Sequence, residues 1–162
     1  MTDEVDRIVA AWSRERPDLD VAPLSVLSRV SRLARHLDLA RRTAFERHTL
    51  ELWEFDVLAA LRRAGEPYQL SPGALVTQTL VTSGTMTNRI DRLAARGLVE
   101  RGPAPEDRRG VLVRLTPTGR ARVDAALDDL LDVERRLLTA LPEADRTRLA
   151  ELLRVLVAPF DA

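Results

Sequence analysis

The sequence predicts a mainly α-helical protein interrupted by one small β-hairpin. Three observations lead there. Apolar residues recur at three- and four-residue intervals over most of the 162 residues. Helix-starting hydroxyls and prolines punctuate them at Thr2, Pro23, Ser71-Pro72, Thr82-Ser83, Thr116-Pro117 and Pro142. After Gly97 the period shifts to two short runs rich in valine and leucine, separated by a segment containing Pro103, Pro105 and Gly110.

Each element follows from local chemistry. Thr2 followed by Asp3, Glu4 and Asp6 reads as a capped start with acids in the first turn, and Val5, Ile8, Val9 and Trp12 share one stripe that should stop before Pro17. A second helix begins near Pro23, with Leu24, Leu27, Val30, Leu33, Leu37 and Ala40 at helical spacing. Residues 50–64 form a third helix, apolar on nearly every side and therefore buried, ended by Gly65-Glu66-Pro67. Ser71-Pro72 opens a short helix to about Gln78, and Thr82 or Ser83 caps another that runs through Arg96 and closes on Gly97. Two short helices in tandem suggest a helix-turn-helix. Residues 98–101 and 111–115 read as strands of a hairpin, with 102–110 as a long turn whose prolines stiffen it. Thr116-Pro117 caps a long helix to about Ala140, and a last helix from Pro142 aligns Leu149, Leu152, Leu153 and Leu156.

Leucine stripes on helices at both chain ends call for a partner surface, and a dimer of interlocked ends supplies it; an ordinary monomeric bundle is the other solution. The expected organisation is 1–50 as N-terminal helices, 51–118 as a winged helix-turn-helix lobe, and 119–162 as C-terminal dimerisation helices.

Composition narrows the function. Hydrophobic residues at 45% and charged residues at 31% favour a packed core over disorder. With 25 acidic and 25 basic residues, coating nucleic acid by bulk charge is excluded, but a basic face is not. Residues 53–120 carry 10 Arg and 7 acids, whereas 121–162 carry 6 Arg and 9 acids, so the middle is basic and the end acidic. All the basic residues are arginine, which grips phosphate and carboxylate bidentately. Without cysteine there is no thiolate catalysis, disulfide or Cys-based zinc site. His36 and His48 are too few for a metal centre and read as surface or interface residues, so neither metal nor cofactor is expected. The acidic start lacks a signal peptide's basic and apolar segments, and no apolar run approaches a membrane span, so a cytoplasmic protein is expected. No nucleophile–base pair or phosphate loop argues for an enzyme.

The helix from Thr82 carries the reading head. With Met86 set at the core and about 100° per residue, Ile90, Leu93 and Ala94 fall beside it, while Gly84, Thr85, Asn88, Arg92 and Ala95 fall opposite. Small residues let a helix enter the major groove, and Asn and Arg read adenine and guanine edges bidentately. Ser83, Thr85 and Thr87 can hold phosphates near the helix N-terminus. Arg108 and Arg109, on the hairpin tip beside Asp107, suit a narrow minor groove. A solvated helix face and a solubilising turn are the plainer alternatives; a winged helix used only to bind protein is another, and binding that weakens with salt separates it from a DNA reader.

Four segments in this order, residues 83–93 (SGTMTNRIDRL), 97–101 (GLVER), 106–110 (EDRRG) and 113–119 (VRLTPTG), resemble the MarR family of winged helix-turn-helix regulators, from about Leu24 to the end of the chain. The resemblance implies a homodimer on a pseudo-palindromic double-stranded operator, usually near its own gene and usually repressing it, with recognition helices about one DNA turn apart and Arg109 in the minor groove.

Asp56 adds a further expectation. A carboxylate on a buried helix is costly unless paired, and Arg89, about 60° from the core centre of its helix, is a candidate partner. A structural Asp–Arg pair and a core Trp12 are the simplest reading. The chain also resembles a urate- and carboxylate-responsive subgroup, with a branch that responds to tricarboxylates such as citrate and aconitate. That likeness implies a ligand site at Trp12, Asp56, Arg89 and Arg101, with an anionic metabolite held by the two arginines between the dimerisation helices and the DNA-binding lobe. Movement of Arg89 would then carry the recognition helix with it and release DNA.

Overall fold

The structure is a computed structural model that describes residues 2–104 and 107–160. Seven helices and one three-stranded sheet follow in the order α1 (Glu4–Glu15), α2 (Ala22–Glu46), α3 (Leu52–Arg63), β1 (Gln69–Leu70), α4 (Pro72–Thr79), α5 (Ser83–Ala95), β2 (Val99–Ala104), β3 (Asp107–Leu115), α6 (Pro117–Leu138) and α7 (Glu143–Val157), with a closing 3-10 turn at Ala158–Phe160. The described chain divides into two compact units, one up to Thr43 and one from Ala44 onward.

In the first unit, Asp3 rather than Thr2 caps α1. Its carboxylate accepts from the Asp6 amide, and the Asp6 carboxylate accepts from the Asp3 amide, both at 2.9 Å. Two acids three residues apart close this reciprocal cap and leave Thr2 outside it. Arg29 of α2 then ties down both acids, with Nε and Nη2 on Asp3 at 2.9 Å and Nη2 on Asp6 at 2.7 Å. Val5 is buried, but Trp12 of the same stripe is 49% exposed. On α2, Val26, Leu27, Val30, Leu33 and Leu39 are exposed.

The second unit holds the core. α3 is its central helix: Phe55, Val57, Leu58, Ala60 and Leu61 are all buried, as its all-round apolar sequence requires. Phe45, from the last turn of α2, stacks on Phe55 with centroids 4.0 Å apart. α4, α6 and the sheet pack around α3, and α5 packs on α4 and β2, so that Leu75, Met86, Ile90, Leu93, Val113 and Val123 join one core. Ser71 caps α4, Thr82 caps α5 and Thr116 caps α6, each through its hydroxyl to the amide three residues on. Gly97, just past α5, has φ +66°, the left-handed turn glycine reaches without strain.

The sheet departs from expectation in two ways. The hairpin strands run much further than 98–101 and 111–115, continuing through Pro103↔Val111 to Ala104↔Asp107 with an irregularity between Pro103 and Ala104. Pro103 can be accommodated because β2 is an edge strand in the order β1-β3-β2, where a missing amide donor is tolerated. The added strand β1, unforeseen in the sequence, pairs Gln69 with Arg114 and Leu70 with Val113. Two residues are too few to show a period.

Helix α6 meets the hairpin base through Gly119. A Cβ there would lie 2.1 Å from the Leu98 carbonyl oxygen, so only glycine permits this approach. Thr116 secures the joint, its Oγ1 donating to Gly97 O at 2.8 Å. None of α7 is buried: Leu152, Leu153, Val155, Leu156 and Val157 are exposed, and Phe160 beyond them is 85% exposed.

Candidate nucleic-acid interface

Helix α5 is built to show one face. Met86, Ile90 and Leu93 are buried, while Ser83, Gly84, Thr85, Thr87, Asn88 and Arg92 are exposed. The division follows the spacing of apolar residues along the helix. At its start Thr82 Oγ1 receives the Thr85 amide at 3.3 Å and lies 2.9 Å from Thr85 Oγ1. Thr87 turns its hydroxyl back to Ser83 O at 3.1 Å. The remaining first-turn amides have no helical acceptor and suit a phosphate. Nothing within 4 Å meets a Cβ built on Gly84, so the face is open there.

The far end of this face is electrostatically organised. Arg92 Nη2 donates to Glu51 Oε1 at 2.9 Å, and its guanidinium lies 4.7 Å from the centroid of the Trp53 ring. Trp53 Nε1 donates to Glu51 Oε2 at 2.6 Å. That indole N–H, aided by the positive charge of Arg92 and then Arg96, holds the Glu51 carboxyl below its ordinary range. Arg89 is half-buried and also lies over Trp53, at 5.4 Å. An open recess of about 570 Å³ is lined by Glu51, Trp53, Gly84, Thr85, Asn88, Arg89 and Arg92.

Of the residues expected to hold an effector, Arg89 and Arg101 each meet a different residue of the second unit. Arg89, the expected partner of Asp56, has its guanidinium over the Trp53 indole. Asp56 is half-buried and engaged in its own interaction. The fully buried acid of α3 is instead Glu54, 1% exposed, whose oxygens both accept from Arg96 Nη1 at 2.5 Å. Arg96 Nη2 also donates to Thr49 O at 2.6 Å. Arg101 pairs with Asp91 of α5 at 2.7 Å. Trp12 belongs to the first unit and the other three to the second. The side chains of Arg108 and Arg109 lie outside the described residues, although their backbone belongs to β3.

Sequence reasoning missed Glu51, Trp53, Glu54 and Arg96. One signal was available: Glu51 and Glu54 stand three apart at the head of a helix, the spacing of a reciprocal cap, and Glu54 Oε2 does accept from the Glu51 amide at 2.9 Å. His48 is not idle either, with Nε2 3.0 Å from Asp129 Oδ2. Among the described residues no cluster of three or more His, Asp or Glu could hold a metal, and no helix is long and apolar enough to cross a membrane.

Two tandem helices, the second exposing hydroxyls, an amide and an arginine, followed at once by a hairpin wing, define a winged helix-turn-helix DNA-binding protein. Comparison with known proteins places it more closely. A MarR family model matches residues 48–110. The transcriptional regulator PecS of Dickeya dadantii is 39% identical over 150 residues, covering 93% of this chain and 90% of PecS. A MarR mutant from Escherichia coli, solved in complex with operator DNA, superposes with a TM-score of 0.70 at 26% identity, over 96% of this chain and 99% of that one. BpsR of Bordetella bronchiseptica, whose DNA binding is regulated by 6-hydroxynicotinic acid, aligns with a TM-score of 0.60 at 32% identity, over 79% of this chain and 98% of that one. The chain belongs to the MarR family of helix-turn-helix transcriptional regulators.

Proposed function

We propose that this regulator is a repressor whose homodimer binds a pseudo-palindromic operator and leaves it on binding a small anionic metabolite, urate-like or tricarboxylate-like. One observation carries the DNA half of the reading: Thr85, Asn88 and Arg92 are exposed along one face of α5, opposite the buried Met86, Ile90 and Leu93. Asn88 and Arg92 would read base edges, Ser83, Thr85 and Thr87 would meet the backbone, and Arg108 and Arg109 of the wing would enter the minor groove. The exposed apolar faces of α2 and α7 support a second copy as the partner. The operator-bound state of the MarR relative supports the docking mode.

The effector half rests on Trp12, Asp56, Arg89 and Arg101. The BpsR relative supports a small carboxylate as the kind of molecule that controls DNA binding. Arg89 and Arg101 would take the charge of the ligand, and both sit on or against α5, so exchanging Trp53 and Asp91 for a metabolite would shift the reading helix.

The test is a gel shift with the intergenic DNA beside the gene, challenged with urate, citrate, the aconitates and aromatic acids. Binding that weakens with salt and is reversed by one of these acids is the expected result. Asp56→Asn and Arg89→Ala should each bind DNA yet ignore the acid. DNA binding unaffected by every acid tested removes the effector half, and a protein that selects no promoter fragment removes the whole reading.

A further inference from the structure

The contacts of Arg92 carry an inference about how the recognition helix discriminates between bases. A long exposed side chain at the end of a reading helix ordinarily loses rotamer entropy when it docks, and that loss erodes the preference it confers. Arg92 is held before any DNA arrives. One face of its guanidinium lies 4.7 Å from the Trp53 ring centroid. Nη2 donates to Glu51 Oε1 at 2.9 Å, and among the described residues Glu51 is its hydrogen-bond partner. Glu51 is itself fixed, because its other oxygen accepts from Trp53 Nε1 at 2.6 Å. The three side chains thus close a ring of contacts, Arg92 to Glu51, Glu51 to Trp53, and Trp53 under Arg92. Both partners come from the first residues of the core helix α3 and its cap, Glu51 standing 41 residues away in the chain.

We infer that Glu51 and Trp53 are positioning residues that pre-set Arg92 as a reader of one guanine in each operator half-site. The inference rests on the DNA-reading role proposed for Arg92. With one N–H and one face occupied, the other donors of the planar fork remain free for the O6 and N7 atoms of guanine. Arg92 stays 53% exposed and Glu51 58% exposed, so the assembly stands at the surface where DNA would meet it. A carboxylate so near a phosphate backbone also carries a cost. Glu51 repels DNA of any sequence and repays this only where Arg92 finds its base. The arrangement therefore gives up general affinity in favour of selectivity.

This opposition supplies the test. A pool of randomised duplexes is put through binding selection with the wild-type dimer, Glu51→Gln, Trp53→Phe and Arg92→Ala, and affinity for an unrelated duplex is measured alongside. Arg92→Ala locates the base pair that Arg92 reads. At that pair, and at no other, Glu51→Gln should lower the guanine preference about tenfold, within the roughly 5- to 150-fold range that a bidentate arginine contact carries. The same variant should bind the unrelated duplex more tightly than wild type, because a negative charge has gone. Adding Glu51→Gln to Arg92→Ala should change nothing further at that pair. Trp53→Phe keeps an aromatic face but loses the N–H to Glu51, and should fall between wild type and Glu51→Gln. A Glu51→Gln dimer with an unaltered preference at that pair overturns the inference while leaving DNA reading intact. A uniform loss across all positions overturns it too, by making Glu51 merely structural. If the wild-type protein enriches no sequence, the DNA-reading role itself has failed.

Discussion

Both carboxylate oxygens of Glu54 on α3 sit 2.5 Å from Nη1 of Arg96, at the C-terminal cap of the recognition helix α5. The acid is 1% exposed and the arginine side chain 33%. Through Nη2 on Thr49 O, the same guanidinium also grips the turn between α2 and α3. This joint fixes the end of α5 to the core helix and so sets the angle at which the reading face is presented.

Cutting the joint from the arginine side leaves a buried carboxylate without its cation. Breaking a fully buried pair costs about 3–5 kcal/mol; with Arg96 one-third exposed and water able to approach, about 2–3 kcal/mol is expected for Arg96→Ala. Glu54→Gln, which keeps the shape and one acceptor, should cost less. Urea denaturation of the three proteins measures this, and a stability of Arg96→Ala equal to wild type shows that the pair contributes nothing.

Two glycines separate packing from recognition. At Gly119 a methyl group would meet Leu98 O at 2.1 Å, so Gly119→Ala forces α6 away from the hairpin base and should destabilise by about 1–3 kcal/mol. At Gly84 a methyl group meets nothing within 4 Å. Gly84→Ala should therefore leave stability unchanged, or raise it by up to about 1 kcal/mol through helix propensity. It should nevertheless weaken DNA binding, since the new methyl stands on the face offered to the groove. Thermal melts and operator titrations of the two variants should give opposite rankings.

The wing makes a quantitative claim of its own. If Arg108 and Arg109 both lie against the phosphate-lined minor groove, each contact should contribute about 0.9 to the slope of log affinity against log salt. Because a homodimer carries two wings, Arg108→Ala and Arg109→Ala should each lower that slope by about 2 without unfolding the lobe. An unchanged slope in both variants would place the hairpin tip away from DNA.

The sequence makes α5 legible because its signals agree: Thr82 at the cap, Met86, Ile90 and Leu93 at helical spacing, and Gly97 at the close. The partners of its arginines are not legible in that way. Glu51 and Arg92 stand 41 residues apart, and only the folded arrangement of the lobe brings them together. Choosing between Glu54 and Asp56 as the buried acid fails for a related reason. Phe55, Val57, Leu58 and Leu61 are buried on a helix with little amphipathic contrast, so periodicity does not say which acid faces inward. The hairpin strands outrun their expected ends because backbone pairing carries them through Pro103, a residue that composition alone assigns to a turn.

The attachment of α1 to α2 should respond to acid. Asp3 is held below the ordinary carboxylate range first by the Asp6 amide and then by Arg29, and Asp6 first by the Asp3 amide and then by Arg29. Both folded values are depressed, so the stabilisation is fully present above the unfolded aspartate value of about 3.9 and is lost as pH falls through the lower folded values. Neutral and mildly acidic solutions should leave α1 attached, and release should begin only below about pH 4. Trp12, on the same helix and 49% exposed, reports the event by fluorescence in a Trp53→Phe background that removes the other indole. Arg29→Met deletes the guanidinium that grips both acids and should give at neutral pH the Trp12 emission that the parent reaches only in acid. A Trp12 signal that changes instead between pH 6 and 7, or an Arg29→Met spectrum matching the parent at every pH, would show that these two acids do not hold the helix.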